Sequence, residues 1–211
     1  MILSVSEKPE TRNQLRLRLR ELRRELLPGQ RSNAEQAVAK LLAEFVSSQP
    51  PGLACTYIPT DGELDLRLCT ERLQDLGWRI FLPVIGDGRQ MGFAEWTTHC
   101  RLEQNRFGIL EPASPAELLT AEQMDLALIP CVAVDASGNR LGFGAGYYDR
   151  AFSKAELERD QDSSGAGPTL IGCAFSQQVV HELAAEPWDV AMDYILTETA
   201  ITRSLPASSS S

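Results

Sequence analysis

The residues best suited to chemistry lie together between Ile129 and Arg150, in the string IPCVAVDASGNRLGFGAGYYDR. Arg140 precedes glycines at 142, 144 and 146, and Tyr147, Tyr148 and Asp149 follow them directly. Three alternating glycines strip side chains from one length of backbone, so its N–H groups can approach a ligand closely. The residues after them read as a helix start, where the macrodipole favours anions. A cation, bare amides, two phenols and a carboxylate at one place suit a phosphorylated ligand, with Asp149 available to a metal ion. The spacing is G-x-G-x-G, neither the dinucleotide-binding G-x-G-x-x-G nor the P-loop pattern. By itself it also fits a plain structural turn.

The elements that must position these groups follow from periodicity. Met124 to Val134 is a nearly continuous apolar run, expected as one strand buried on both faces of a parallel sheet. Asp135, Ser137, Gly138 and Asn139 then break it as a turn. Leu53–Ile58 and Trp78–Val84 read as earlier strands, with a helix over 66–76 between them that Gly77 closes. Pro9–Leu27 is predicted as a helix that Pro28-Gly29 ends, and Ser32-x-x-Glu35 as the capping box of the next. Met91–Trp96 is predicted as a further strand and Pro115–Glu122 as a short helix. A helix is expected from Tyr147 to about Glu158, a polar glycine-rich loop over 160–168, and a strand over Thr169–Phe175. This β–α–β order predicts an α/β fold: an open, mostly parallel sheet with helices on both faces. One domain is expected over residues 1–206, with a disordered serine tail at 207–211.

At 211 residues, 43% hydrophobic and 23% charged, the composition is that of a soluble globular chain with a sizeable core. No apolar run approaches membrane-spanning length, and the start is not expected to be a secretory signal. Five widely spaced cysteines with no C-x-x-C pair argue against a zinc site or a disulfide framework and point to reduced thiols and a cytoplasmic location. The net charge is −9, but residues 1–31 hold eight of the 20 Lys/Arg and only four of the 29 Asp/Glu. An acidic body opposes general nucleic-acid binding.

The basic segment carries two stripes, Leu15, Leu19, Leu22 and Leu26, and Arg12, Arg16, Arg20 and Arg23. The arginines read either as a solvated face partly offset by Glu21 and Glu25, or as a cationic edge facing phosphates. PTDGELD, residues 59–65, follows the first strand. Its three carboxylates suit cation or amine recognition at a strand's ligand-binding end, or simply the acidic first turn of a helix. NRFGILEP, residues 105–112, is a turn-rich segment with one aromatic, Phe107, able to serve as a platform for a flat ring. His181 and His99 have no visible partner and read as surface residues.

N-R-L-G-x-G-x-G-Y-Y-D after an apolar strand resembles the signature of the 5-formyltetrahydrofolate cyclo-ligase family. PTDGELD, NRFGILEP, TLIGCAFS and EPWDVAMDYILTE, in that order, resemble further segments of it, so the likeness spans about Arg12 to Thr197. It implies an open α/β/α sandwich with Rossmann-like layering, a monomer that binds MgATP and a reduced folate as substrates. The implied reaction is ATP-dependent closure of 5-formyltetrahydrofolate to 5,10-methenyltetrahydrofolate through a phosphorylated formyl group. The implied ATP-binding residues are Arg12, Arg16, Arg140, Leu141, Gly142, Gly144, Gly146, Tyr147 and Tyr148, with Arg20 open because the repetitive helix can slip by a turn. The implied folate contacts are Thr60, Glu63, Asp65, Phe107, Phe143, Gly144, Ala145, Gly146 and Tyr147, with Asp65 ahead of Glu63. Arg140, Tyr147 and Asp149 are the implied catalytic groups, and Asp149 and Asp189 the implied magnesium ligands. Ala145 stands where some family members carry lysine, so no lysine contact to phosphate is available there.

Three other readings compete. A nucleotide- or folate-binding module without turnover is opposed by the intact Arg140, glycines and Asp149. A nicotinamide-dependent oxidoreductase is opposed by the glycine spacing and its late position in the chain. A nucleic-acid-binding protein using the arginine helix is opposed by the acidic body.

Overall fold

The computed structural model describes residues 10–97, 99–113, 115–153 and 167–205. The helix α1 spans Arg12–Arg24. It opens on a capping box in which Thr11 Oγ1 accepts from the Gln14 N–H at 3.3 Å and Gln14 Oε1 accepts from the Thr11 N–H at 2.9 Å. Pro28-Gly29 does not end this helix but starts the next, α2, over Pro28–Val46. Proline at the first helical position forfeits only an N–H that would be unpaired anyway. The expected capping box at Ser32 is therefore displaced: Gln30 caps the Leu27 N–H, and Ser32 lies inside α2.

Next come β1 (Leu53–Cys55), α3 (Arg67–Asp75), β2 (Arg79–Ile85), β3 (Met91–Glu95), β4 (Leu102–Gln104) and β5 (Leu110–Pro112). Gly77 follows α3 with φ 88°, the left-handed conformation expected of a residue closing a helix. No helix forms at Pro115–Glu122. Only Ala121–Gln123 makes a single 3₁₀ turn, because Leu119 leaves the local chain to pair with Phe93 of β3.

The apolar run predicted as one strand is two: β6 (Leu126–Pro130) in the main sheet and β7 (Ala133–Asp135) in a small one. The small sheet pairs β7 with β8 (Arg140–Leu141) and β10 (Val179–Val180). Both halves are buried, so hydrophobicity alone could not show the change of sheet. A helix, α4, is described over residues 147–153, and its predicted continuation to 158 and the 160–168 loop fall largely or partly outside the described residues, as does the 207–211 tail. Then come β9 (Thr169–Cys173), β11 (Tyr194–Leu196) and β12 (Ile201–Arg203).

The main sheet runs β3-β2-β1-β6-β9-β11-β12. Its five inner strands are parallel and its two edges antiparallel. On one face α2 and α3 bury Val38, Leu42 and Leu73 against Ile80, Leu128 and Ile171. On the other face α4 buries Phe152 against Phe81, Phe93 and Ile129, with the Phe93 and Phe152 rings 5.8 Å apart. Each such fully buried Leu or Phe contributes about 1.5–3 kcal/mol. The predicted α/β layering holds. The chain order reverses between β1 and β6, and in open parallel sheets ligands bind outside the carboxyl ends of the strands at such a point. Among the described residues no helix is long and apolar enough to cross a membrane.

Candidate active site

A cavity of about 690 Å³ opens at that carboxyl edge. Its floor is Tyr57 and Ile58 after β1, Pro83 and Ile85 of β2, and Pro130 of β6. The glycine loop forms one wall. Gly144 and Gly146 sit at φ 99° and 65°, a region that side-chain-bearing residues avoid, which explains why a β8-to-α4 connection this tight uses glycine. The loop delivers Tyr147, Tyr148 and Asp149 to the cavity at the start of α4.

Arg140 is held beneath this loop, almost wholly buried. Its Nη2 donates to Asp149 Oδ1 at 2.5 Å, and its guanidinium lies 5.8 Å from the Tyr148 ring centre. Its Nε is buried without a hydrogen-bond partner. Burial pushes the Tyr148 phenol, and that of Tyr57, well up, so both remain proton donors at neutral pH.

From α1, Arg16 donates to the Gly142 carbonyl at 2.7 Å, and Arg12 donates to Asp189 Oδ2 at 2.9 Å and the Ala184 carbonyl at 2.8 Å. The arginine stripe is thus not a solvated face offset by Glu21 and Glu25. Arg12 and Arg16 line the cleft, while Arg20 and the fully buried Arg23 meet Asp61. Burial pulls the Arg16 guanidinium pKa down, helped by the charges of Arg12 and Arg20.

Thr60 and Glu63 also line the cavity. Glu63 Oε2 accepts from the Thr60 N–H at 2.9 Å and lies 3.3 Å from its hydroxyl. Burial pushes the Glu63 carboxyl up, partly opposed by that N–H and by Arg23. Of the two acids named for the folate, Glu63 is in the lining and Asp65, placed first, is not. The Asp65 carboxylate caps the Arg67 N–H at 2.8 Å at the start of α3. Leu141 is also not in the lining, because it packs under α1 against Leu19. Phe107 is in the lining, half exposed, with its ring 5.9 Å from that of Tyr147. Asn105 holds its loop, accepting from the Phe107 N–H and donating to Glu111, both at 2.9 Å. Phe143 and Ala145 complete the predicted set in the lining.

Sequence reasoning passed over Tyr57, Asp61 and Trp188, which also line the cavity. Trp188 stands beside the predicted Asp189, and Asp61 sat in view within PTDGELD. His99 and His181 are exposed and outside the lining. Burial pushes the Cys131 thiol up to about 12 and raises the Cys173 thiol well above its ordinary value, so neither is a ready nucleophile.

Asp149 and Asp189 both face the cleft, and the Asp149 carboxylate accepts from the Val190 N–H at 3.4 Å, adjacent to Asp189. Among the described residues no group of three acidic, His or Cys side chains is placed to hold a metal by itself. One or two carboxylates completed by substrate phosphates and waters are the usual magnesium arrangement, so these two fit that ion.

The sequence and the fold match known proteins. The family model described as the 5-formyltetrahydrofolate cyclo-ligase family matches residues 8–198. The chain belongs to this family. The 5-formyltetrahydrofolate cyclo-ligase of Mycolicibacterium smegmatis is 32% identical, over 90% of this chain and 94% of that protein. That of Haemophilus influenzae is 30% identical, over 89% and 97%. The solved structure of a 5,10-methenyltetrahydrofolate synthetase from Mycoplasma pneumoniae superposes with a TM-score of 0.70 at 25% identity, covering 89% of this chain and 98% of that one. The chain is thus a cyclo-ligase-family enzyme, and the cleft is where its sheet and its charged groups converge.

Proposed function

We propose that this enzyme closes 5-formyltetrahydrofolate to 5,10-methenyltetrahydrofolate, consuming MgATP and releasing ADP and phosphate. The observation that carries the reading is one cleft lined together by cations, bare amides, a buried carboxylate and an exposed aromatic. The formyl oxygen is a poor leaving group. It takes the γ-phosphoryl group, forming an O–P bond as the bond to ADP breaks. N10 then attacks the formyl carbon and loses its proton, and the carbon–oxygen bond breaks to release phosphate.

Most of this task is alignment and charge neutralisation. Arg12 and Arg16 exchange their bonds to Asp189 and the Gly142 carbonyl for triphosphate oxygens. Arg140, held in place by Asp149, presents charge to the transferring group, and the amides over 142–146 cradle it. Asp149 and Asp189 would hold magnesium, which supplies neutralisation of phosphate charge when bound. Glu63 and Thr60 accept and donate hydrogen bonds to the pterin, Phe107 and Tyr147 offer it an aromatic platform, and Phe143 and Ala145 border it. Tyr148 anchors Arg140 from below.

A non-catalytic module that binds nucleotide or folate is the alternative. The test is absorbance near the methenyl-folate band with purified protein, 5-formyltetrahydrofolate and ATP, with and without magnesium, beside Asp149→Ala and Arg140→Ala. Product that needs ATP and metal and collapses in both variants supports the ligase reading. Ligand binding without product by folded protein supports the module.

A further inference from the structure

Asp61 and Gly62 form a tight turn in the segment between β1, which ends at Cys55, and α3. Both have positive φ, 51° and 75°, and the Glu63 N–H donates to the Thr60 carbonyl at 3.0 Å. Two consecutive positive φ values define the type I′ turn that Asp-Gly favours. Asp61 is the only non-glycine residue with positive φ among the described residues. The turn aims its carboxylate at α1. There Arg20 Nε donates to Oδ2 at 2.6 Å, Arg23 Nη2 to Oδ2 at 3.1 Å and Arg24 Nε to Oδ1 at 2.6 Å. Arg23 Nε also donates to the Asp61 carbonyl at 3.0 Å, and Arg31 of α2 to the Gly62 carbonyl at 3.0 Å. A side chain on Gly62 would press on that guanidinium, at 3.1 Å. Burial alone would raise the Asp61 carboxyl, but hydrogen bonds from Arg20 and Arg24 and the charges of Arg20 and Arg23 outweigh it and hold it below the usual carboxylate range.

The contacts of α1 divide into two kinds. At its N-terminal half Arg12 and Arg16 bind Asp189 and the Gly142 carbonyl, which belong to the cleft and compete with any ligand for those arginines. At its C-terminal half the arginines bind Asp61, and Leu19 packs into the small-sheet core. We infer that Asp61 is a positioning residue: its carboxylate pins the C-terminal half of α1, so that Arg12 and Arg16 stay aimed at the cleft when their own cleft contacts are exchanged for a phosphorylated ligand. The inference rests on the nucleotide role proposed for those two arginines. It also ties the turn that carries Thr60 and Glu63 to the helix that carries Arg12 and Arg16.

Two variants separate the carboxylate from the turn. Asp61→Gly removes the side chain without strain at positive φ, and Asp61→Asn keeps the shape and one acceptor without the charge. Hydrogen exchange of the free protein and steady-state kinetics are measured on both. For Asp61→Gly, exchange in α1 should rise by about tenfold while β1, β6 and β9 keep their protection. KM for MgATP should rise about tenfold, with kcat within about threefold, and Asp61→Asn should fall between this variant and wild type. Unchanged α1 exchange with unchanged KM overturns the inference, as does a loss of protection spread evenly over the sheet. If Asp61→Gly does not fold, Asp61→Asn decides: a rise of about threefold in α1 exchange and KM supports it, and no change overturns it. A wild type without turnover defeats the proposed reaction, whereas the exchange comparison still judges Asp61.

Discussion

Arg140 meets one carboxylate, Asp149, nine residues further along the same segment, whereas Asp61 meets Arg20, Arg23 and Arg24 from a helix 37 to 41 residues earlier. Both clusters flank one cleft, yet they solve opposite problems. Arg140 and Asp149 are a balanced pair, nearly buried, that leaves the Arg140 Nε unpaired. In the Asp61 cluster three arginines share one hydrogen-bonded carboxylate, with Glu63 nearby, and Arg23 is fully buried with Nη1 also unpaired. A buried charge persists when another charge compensates it. The balanced pair can present a charge to a ligand, while the crowded cluster spends its carboxylate on holding a helix.

Breaking the balanced pair should have the largest effect. Arg140→Ala leaves Asp149 without its partner and removes one aimed cation; kcat should fall about 10²–10³-fold, read at the methenyl band. Its stability should drop by about 3 kcal/mol in urea unfolding, because one member of a buried pair is orphaned.

Glu63→Gln should be next, raising the folate KM about tenfold with kcat less affected, since the proposed contact is one of binding. Its pH dependence sharpens the contrast with Asp61. The folded-state carboxyl of Glu63 is raised, so its contribution to stability is present below the unfolded value and is lost as pH rises through the folded one. Urea titrations at acid and neutral pH should show Glu63→Gln gaining on wild type as pH rises. Asp61 is lowered, and its contribution runs the other way, present above the unfolded value and lost as pH falls through the folded one.

Phe107→Ala should raise the folate KM by about fivefold, the loss of one ring platform. Asp65→Asn should stay within about twofold of wild type in the same assay, since a helix-end carboxylate lying outside the cavity has only a small local role. The smallest effect is expected at the exposed Arg79–Glu95 pair between β2 and β3, where Arg79→Ala should leave activity within about twofold.

The glycine loop, its flanking Arg140 and Asp149, and the parallel sheet were readable because each is a local pattern. Glycines, a cation and a carboxylate within the ten residues Arg140 to Asp149 state their own geometry, and an apolar run states its burial. The choice between Glu63 and Asp65 was not readable. Two residues apart, they differ only in which one the turn at Asp61-Gly62 directs into the cavity. The missing helix at 115–122 failed for a related reason, since a distant pairing of Leu119 with Phe93 outweighed local propensity.

By itself the sequence determined the class of fold, the position of the phosphate-suited loop and the acidic body with a basic helix. Those follow from periodicity, glycine and composition, which act over a few residues. The tertiary structure decided the pairing of charges: Arg12 with Asp189, and Arg20, Arg23 and Arg24 with Asp61, across separations of 37 to 177 residues. Such partners are set by where the sheet places its loops, and the strength of an ion pair depends on distance and burial, neither of which is written in residue order.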